Sequence, residues 1–216
     1  MKNANLKKRL PIYLLGLFIM TLGISMSVKS NLGVSPISSI PYTMTCIWGL
    51  EMGKATILLH CFLVLLQVLI LRKRFQIKNL LQILVGIVFG YFTTFCNTLF
   101  AFLPTPENLG IRLGMSVISA ALIAFGIFLY LPANIMPQAG EGAMQAIADV
   151  SGLEFSKVKI AFDLTLVSIS LILCLLNLHS LGSVGIGTVL AAILVGTFVG
   201  CYNRHFAEKR KQTLGF

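Results

Sequence analysis

Seven acidic side chains and three histidines are all the titratable acid–base groups that this chain of 216 residues offers besides its cations, cysteines and tyrosines. Two of them, His60 and Asp163, lie inside apolar runs, where an ionisable group is costly and is by default a candidate for ion coupling. They also occupy one slot of a duplicated phrase. "GLEMGKATILLH" fills 49–60 and "GLEFSKVKIAFD" fills 152–163, with Gly, Leu, Glu and Lys in register and His or Asp at the end. Glu141 and Asp149 sit in a second polar stretch, where they join His60 and Asp163 as the ion-coupling set. Around them stand groups suited to holding a small polar solute by hydrogen bonds: Asn31, Ser35, Ser38, Ser39 and Tyr42 in the first half, Asn134, Gln138, Glu141 and Gln145 in the second. One side of such a site is rich in hydroxyls and the other is acidic. A structural role remains open for each: His60 as a neutral buried donor, Glu141 and Asp149 as groups facing water.

The elements that must position these groups are membrane spans. Hydrophobic residues make up 56% of the chain and charged residues 11%, against about a quarter charged in soluble domains. Six windows are long enough to cross a bilayer, which takes roughly 20 apolar residues: 10–28, 55–71, 80–102, 111–131, 158–178 and 183–202. The first also has the basic start and apolar run of a signal peptide, but the duplication needs it as a helix, so retention is expected. The net charge of +10 comes from cations at span ends, which argues against a nucleic-acid partner and for topology. With the N-terminus in the cytoplasm, only Lys29, Lys54 and Arg112 of the 17 cations fall outside, as the positive-inside rule demands. Both termini are then cytoplasmic, with anionic lipid as the partner of the basic face.

Sliding the chain by 103 residues aligns Gly23 with Gly126, Asn31 with Asn134 and Gly49 with Gly152, and further along "ILVGIVFG" (83–90) matches "ILVGTFVG" (193–200). The expected architecture is one all-α membrane domain over 1–216, built from repeats 10–104 and 111–206, with a basic tail at 207–216. Three spans per repeat is odd, so the second repeat is inverted, a plan common among secondary transporters. The polar stretches 30–53 and 134–156 are too Pro/Gly-broken for spans and read as re-entrant segments. Helices are expected to begin at Ser35-Pro36 or near Pro41, and to end at Gly49 and Gly152. Two amphipathic surface helices are the alternative. Gly86/Gly90 and Gly196/Gly200 are matched GxxxG pairs suited to close helix contact, within the chain or in a homodimer.

The opening span followed by "SNLGVSPISSIPYTM" resembles the YczE/YyaS/YitT group of bacterial integral membrane proteins, over nearly the whole chain. The resemblance implies a small multispan inner-membrane protein and, through relatives beside pyridoxal-phosphate-dependent regulators, a B6 vitamer or amine as solute. Some YitT-type relatives carry an added C-terminal soluble domain; none is expected here. Enzyme motifs such as HExxH, GxSxG and GxxxxGK[ST] do not occur, the five cysteines form no CxxC, and neither an enzyme, a metal nor a cofactor is expected. The function expected is ion-coupled transport of a small polar solute by alternating access, with a non-transporting scaffold or a passive channel as the alternatives.

Overall fold

The computed structural model describes residues 2–214, with side chains for 6–206 and 208. The tail cations Lys209, Arg210 and Lys211 lie outside the described side chains. Among the described residues eight α-helices follow one another: α1 (Lys2–Ser30), α2 (Pro36–Trp48), α3 (Met52–Leu71), α4 (Leu81–Ala101), α5 (Leu109–Tyr130), α6 (Ala139–Ser151), α7 (Phe155–Leu178) and α8 (Ile186–Leu214). Six of them carry apolar stretches long enough to cross a membrane, and they coincide with the six windows. Many outward side chains on these helices are large and apolar, for example Phe62, Leu65 and Leu69 on α3 and Ile172 and Leu176 on α7. Such faces belong in lipid. The chain is a multi-pass membrane protein.

The two short helices stand where the polar stretches predict them. Each has 13 residues, about 20 Å of helix at 1.5 Å per residue, against roughly 30 Å of hydrocarbon, so neither spans alone. α2 starts at Pro36 and keeps Pro41 in its second turn. Both helices stop at a glycine in the left-handed region, Gly49 (φ 66°) and Gly152 (φ 71°), a conformation that costs glycine nothing. Asn31 (φ 51°) and Asn134 (φ 50°) are left-handed too; Asn tolerates this better than most residues. Their N–H groups donate to the carbonyls of Val28 (3.1 Å) and Leu131 (3.2 Å), again 103 residues apart.

The helices group into two compact units, each drawn from both halves of the sequence. The first contains α1, α5, α8 and the end of α4 from Phe95. Here α1 and α5 run antiparallel, Tyr13 meeting Tyr130 edge-on at 5.9 Å and Ser116 donating to Ser30 at 3.2 Å. Their crossing is made by glycines. A Cβ on Gly23 would lie 2.8 Å from the Ser119 carbonyl and 2.9 Å from the Ile123 nitrogen; one on Gly126 would lie 2.5 Å from the Gly16 carbonyl and 2.8 Å from the Met20 nitrogen. The contacts correspond under the displacement of 103. α8 packs on α5 through Tyr202, whose ring meets Phe125 edge-on at 5.5 Å.

Arg112 closes the end of α1. Its Nε donates to the Ser30 carbonyl at 2.8 Å and its guanidinium also reaches the Asn31 carbonyl, answering acceptors that a helix C-terminus leaves unpaired. Arg112→Gln is expected to destabilise the protein by about 1–2 kcal/mol, read as a lower midpoint in denaturant titration of the purified protein in detergent. An unchanged midpoint would mean that water serves those carbonyls as well.

The second unit holds α2, α3, α6, α7 and α4 up to Thr94. In it α2 packs on α7 and α6 packs on α3, so each short helix leans on a long helix of the other half. α4 lies against α3 through bare backbone: a Cβ on Gly90 would meet the Gly53 carbonyl at 2.7 Å, and one on Gly86 the His60 ring at 2.5 Å. The second GxxxG pair behaves differently, since Gly196 and Gly200 have nothing within 4 Å of the position a Cβ would take. The motif needs a small face; only a neighbour makes it a contact.

Candidate functional site

The polar groups that the structure gathers inside the second unit lie at the first turns of the two short helices. On α2, Ser38 and Ser39 are buried, and Ser39 is wholly so. The Ser39 hydroxyl donates to the Pro36 carbonyl (2.6 Å) and accepts from Ser170 of α7 (2.8 Å). One turn on, Thr43 shares a 2.6 Å hydrogen bond with Ser183 and lies 3.6 Å from the Cys174 sulfur. These small hydroxyls and the thiol are wholly buried and hydrogen-bond among themselves. Tyr42 is half-buried beside it.

On α6 the matching position is Gly142, 103 residues beyond Ser39, and facing it is Gln67, 103 residues before Ser170. The two faces correspond residue for residue but differ in chemistry: two serines in one, a glutamine against bare backbone in the other. Gln67 is 1% exposed. Its Nε2 donates to Gln82 Oε1 of α4 (2.8 Å), to the Ala139 carbonyl (3.2 Å) and, along its own helix, to the Leu63 carbonyl (3.3 Å). Its Oε1 is shielded from solvent and accepts no hydrogen bond. Gln82 is as deeply buried, and a Cβ on Gly142 would come within 2.6–2.8 Å of both amides. Sequence reasoning that searches for ionisable groups passes over Gln67 and Gln82. Their signal is nonetheless plain in "LLQVLIL" and "LLQILVG", because a lone amide in an apolar helix must find a partner.

The residues singled out from sequence are divided by the fold. Gln138 is buried at the N-cap of α6 without its side chain capping the helix, and Glu141 is half-buried in the first turn with Oε2 shielded from solvent. Gln145 and Asp149 lie on an exposed face of α6, where Gln145 Nε2 donates to Asp149 Oδ1 at 2.7 Å. Asn31 and Asn134 are exposed turn residues and, with the buried Ser35, belong to the first unit. His60 is 3% exposed, stacked on Phe89 at 5.8 Å, with no hydrogen-bond partner at Nδ1. Asp163 occupies the equivalent slot on α7, is half-buried and is ion-paired to Lys159 one turn earlier. The duplicated ends therefore serve unlike surroundings, a packed ring in one and a surface ion pair in the other.

The Glu and Lys of each duplicated phrase pair with one another, at 3.2 Å for Glu51–Lys54 and 3.6 Å for Glu154–Lys157. Glu51 also accepts from Thr94 of α4. That hydrogen bond first, and Lys54 second, hold the Glu51 carboxyl below the usual carboxylate range. Among the described residues no group of three or more His, Cys, Asp or Glu is placed to hold a metal ion.

Comparison with known proteins agrees with the fold. The chain is 27% identical over 190 residues to the "Uncharacterized membrane protein YczE" of Bacillus subtilis (strain 168), covering 87% of this chain and 82% of that one. It is 28% identical over 208 residues to the "Uncharacterized protein YyaS" of the same organism (93% and 96% covered). A Haemophilus influenzae protein is 28% identical over 192 residues (89% and 82% covered). No solved structure matches. The model of DUF6198, a family of unknown function, matches residues 7–204, nearly the whole chain, and the protein belongs to that family.

Proposed function

We propose that the protein is a secondary carrier for a small polar solute, built from two inverted three-span repeats that work by alternating access. The observation that carries the reading is the correspondence of contacts. Gly23 and Gly126 meet residues 103 apart, and Gln67 facing Gly142 is matched by Ser170 facing Ser39. A duplicated chain whose partners exchange in this way has a pseudo-two-fold axis, and swapping the conformations of its halves moves a site from one side to the other. On this reading the termini are cytoplasmic, α2 re-enters from outside and α6 from the cytoplasm. Their first turns line the solute path, since irregular backbone at membrane depth needs protein or a polar cavity around it. Ion coupling is assigned to Glu141, which stands at that path, before Asp163, whose charge Lys159 already answers. The B6 vitamers and amines implied by the family resemblance are the first solutes to assay.

The test is counterflow in proteoliposomes. Vesicles loaded with unlabelled solute are expected to accumulate labelled solute transiently and saturably. Flux that rises linearly without saturation would replace the carrier with a channel. Absence of flux across a panel of vitamers, amines, amino acids and organic anions would leave the scaffold reading in its place.

A further inference from the structure

The orphaned oxygen of Gln67 narrows what the site recognises. The amide cannot be turned round to relieve it: flipping would set Oε1 against the carbonyls of Leu63 and Ala139, which now accept from Nε2. A buried acceptor with nothing to accept from is costly, and few native groups are left so. Beside it the first turn of α6 presents backbone N–H groups. Gly142 donates to the Gln138 carbonyl at 3.0 Å, but Ala139 and Gly140 precede the first intrahelical bond and have no acceptor in their own helix. Glycines at 140 and 142 let other side chains close on that turn, Ile37 of α2 on Gly140 and the Gln67 and Gln82 amides on Gly142.

We infer that Gln67 Oε1 and the first turn of α6 together recognise a neutral head group that both donates and accepts, a hydroxyl or a carboxamide. The inference rests on the carrier reading and specifies its site. An ammonium group supplies donors to Gln67 but nothing to the α6 N–H groups, and it meets the positive end of the helix. An ionised carboxylate satisfies the N–H groups and sets a second negative oxygen against Oε1. A hydroxyl or a primary amide serves both at once. No void stands at Gly142, so the incoming group displaces the Gln82 amide and takes its place between Gln67 and α6.

The test uses the full-length protein in detergent and four probes of one skeleton: butane-1,4-diol, butyramide, butylammonium and butyrate. Affinities are read from the concentration dependence of thermal stabilisation. The diol and butyramide are expected to bind at least about tenfold more tightly than the two ions, and Gln67→Met to erase that preference. Should Gln67→Met fail to give monodisperse protein, Gln67→Asn withdraws the same amide by one methylene and is expected to weaken the neutral probes alone. Preference for either ion, a preference unchanged in both variants, or no binding of any probe at about 10 mM would overturn the inference and leave Gln67 with a bound water only. The carrier reading falls separately: discrimination among probes without counterflow removes transport and keeps the site, whereas counterflow indifferent to Gln67 keeps transport and removes the site.

Discussion

Gly126→Val is expected to abolish the folded protein, lowering its stability by more than about 3 kcal/mol. A Cβ at Gly126 would stand 2.3 Å from Met20 Cγ, 2.5 Å from the Gly16 carbonyl oxygen and 2.8 Å from the Met20 nitrogen. The methionine can turn away, but the two backbone atoms belong to α1 and move only if the helices part. Replacing glycine recovers a few tenths of a kcal/mol of helix propensity, far too little to offset that separation. Gly23→Val meets the same obstacle from the other strand of the crossing and is expected to match it. Gly196→Val supplies the control: with nothing within 4 Å, it is expected to change stability by less than about 0.5 kcal/mol. The measurement is denaturant unfolding of the purified variants in detergent, with monodisperse yield as the readout where no folded protein survives. A Gly126→Val protein as stable as wild type would mean that α1 and α5 do not cross at these glycines.

The glycines also mark how far the sequence is legible. Spans are readable because burying or exposing twenty apolar residues is a large and additive effect, and the ends of α2 and α6 are readable because Pro36, Gly49 and Gly152 act locally through their own backbone dihedrals. Which face of a helix is covered is another matter. Gly86-x-x-x-Gly90 and Gly196-x-x-x-Gly200 are the same motif, yet one holds the His60 ring and the other has open space. The site escaped for a related reason. Gln67 takes its partners from Gln82, 15 residues away, and Ala139, 72 residues away. Nothing local in "LLQVLIL" announces either. Matching the halves at a displacement of 103 would have paired position 67 with Ser170 and position 142 with Ser39, but not shown that the pairs touch. Likewise Asp163 and His60 share a slot by sequence, and only their neighbours separate a paired carboxylate from a ring packed on Phe89.

Those neighbours decide the second prediction. Glu141→Gln is expected to leave the protein folded, within about 1 kcal/mol of wild type, and to cut gradient-driven uptake at least about tenfold. Glutamine keeps the size of glutamate and its hydrogen-bonding reach, so the half-buried first turn of α6 retains its packing; what disappears is a group able to bind and release a cation. Counterflow exchanges solute for solute with no net movement of the coupling ion, so it is expected to persist in Glu141→Gln while accumulation against a gradient fails. A purely structural glutamate would lose both together. Asp163→Asn breaks the ion pair with Lys159, leaving an exposed lysine that water and lipid headgroups can serve, and is expected to change uptake by less than about twofold. Proteoliposome uptake with and without an imposed pH or sodium gradient reads both variants. Gradient-driven uptake unchanged in Glu141→Gln would end the assignment of coupling to α6. Its loss in Asp163→Asn instead would move the coupling group to α7, where the Lys159 pair would have to open and close during the cycle.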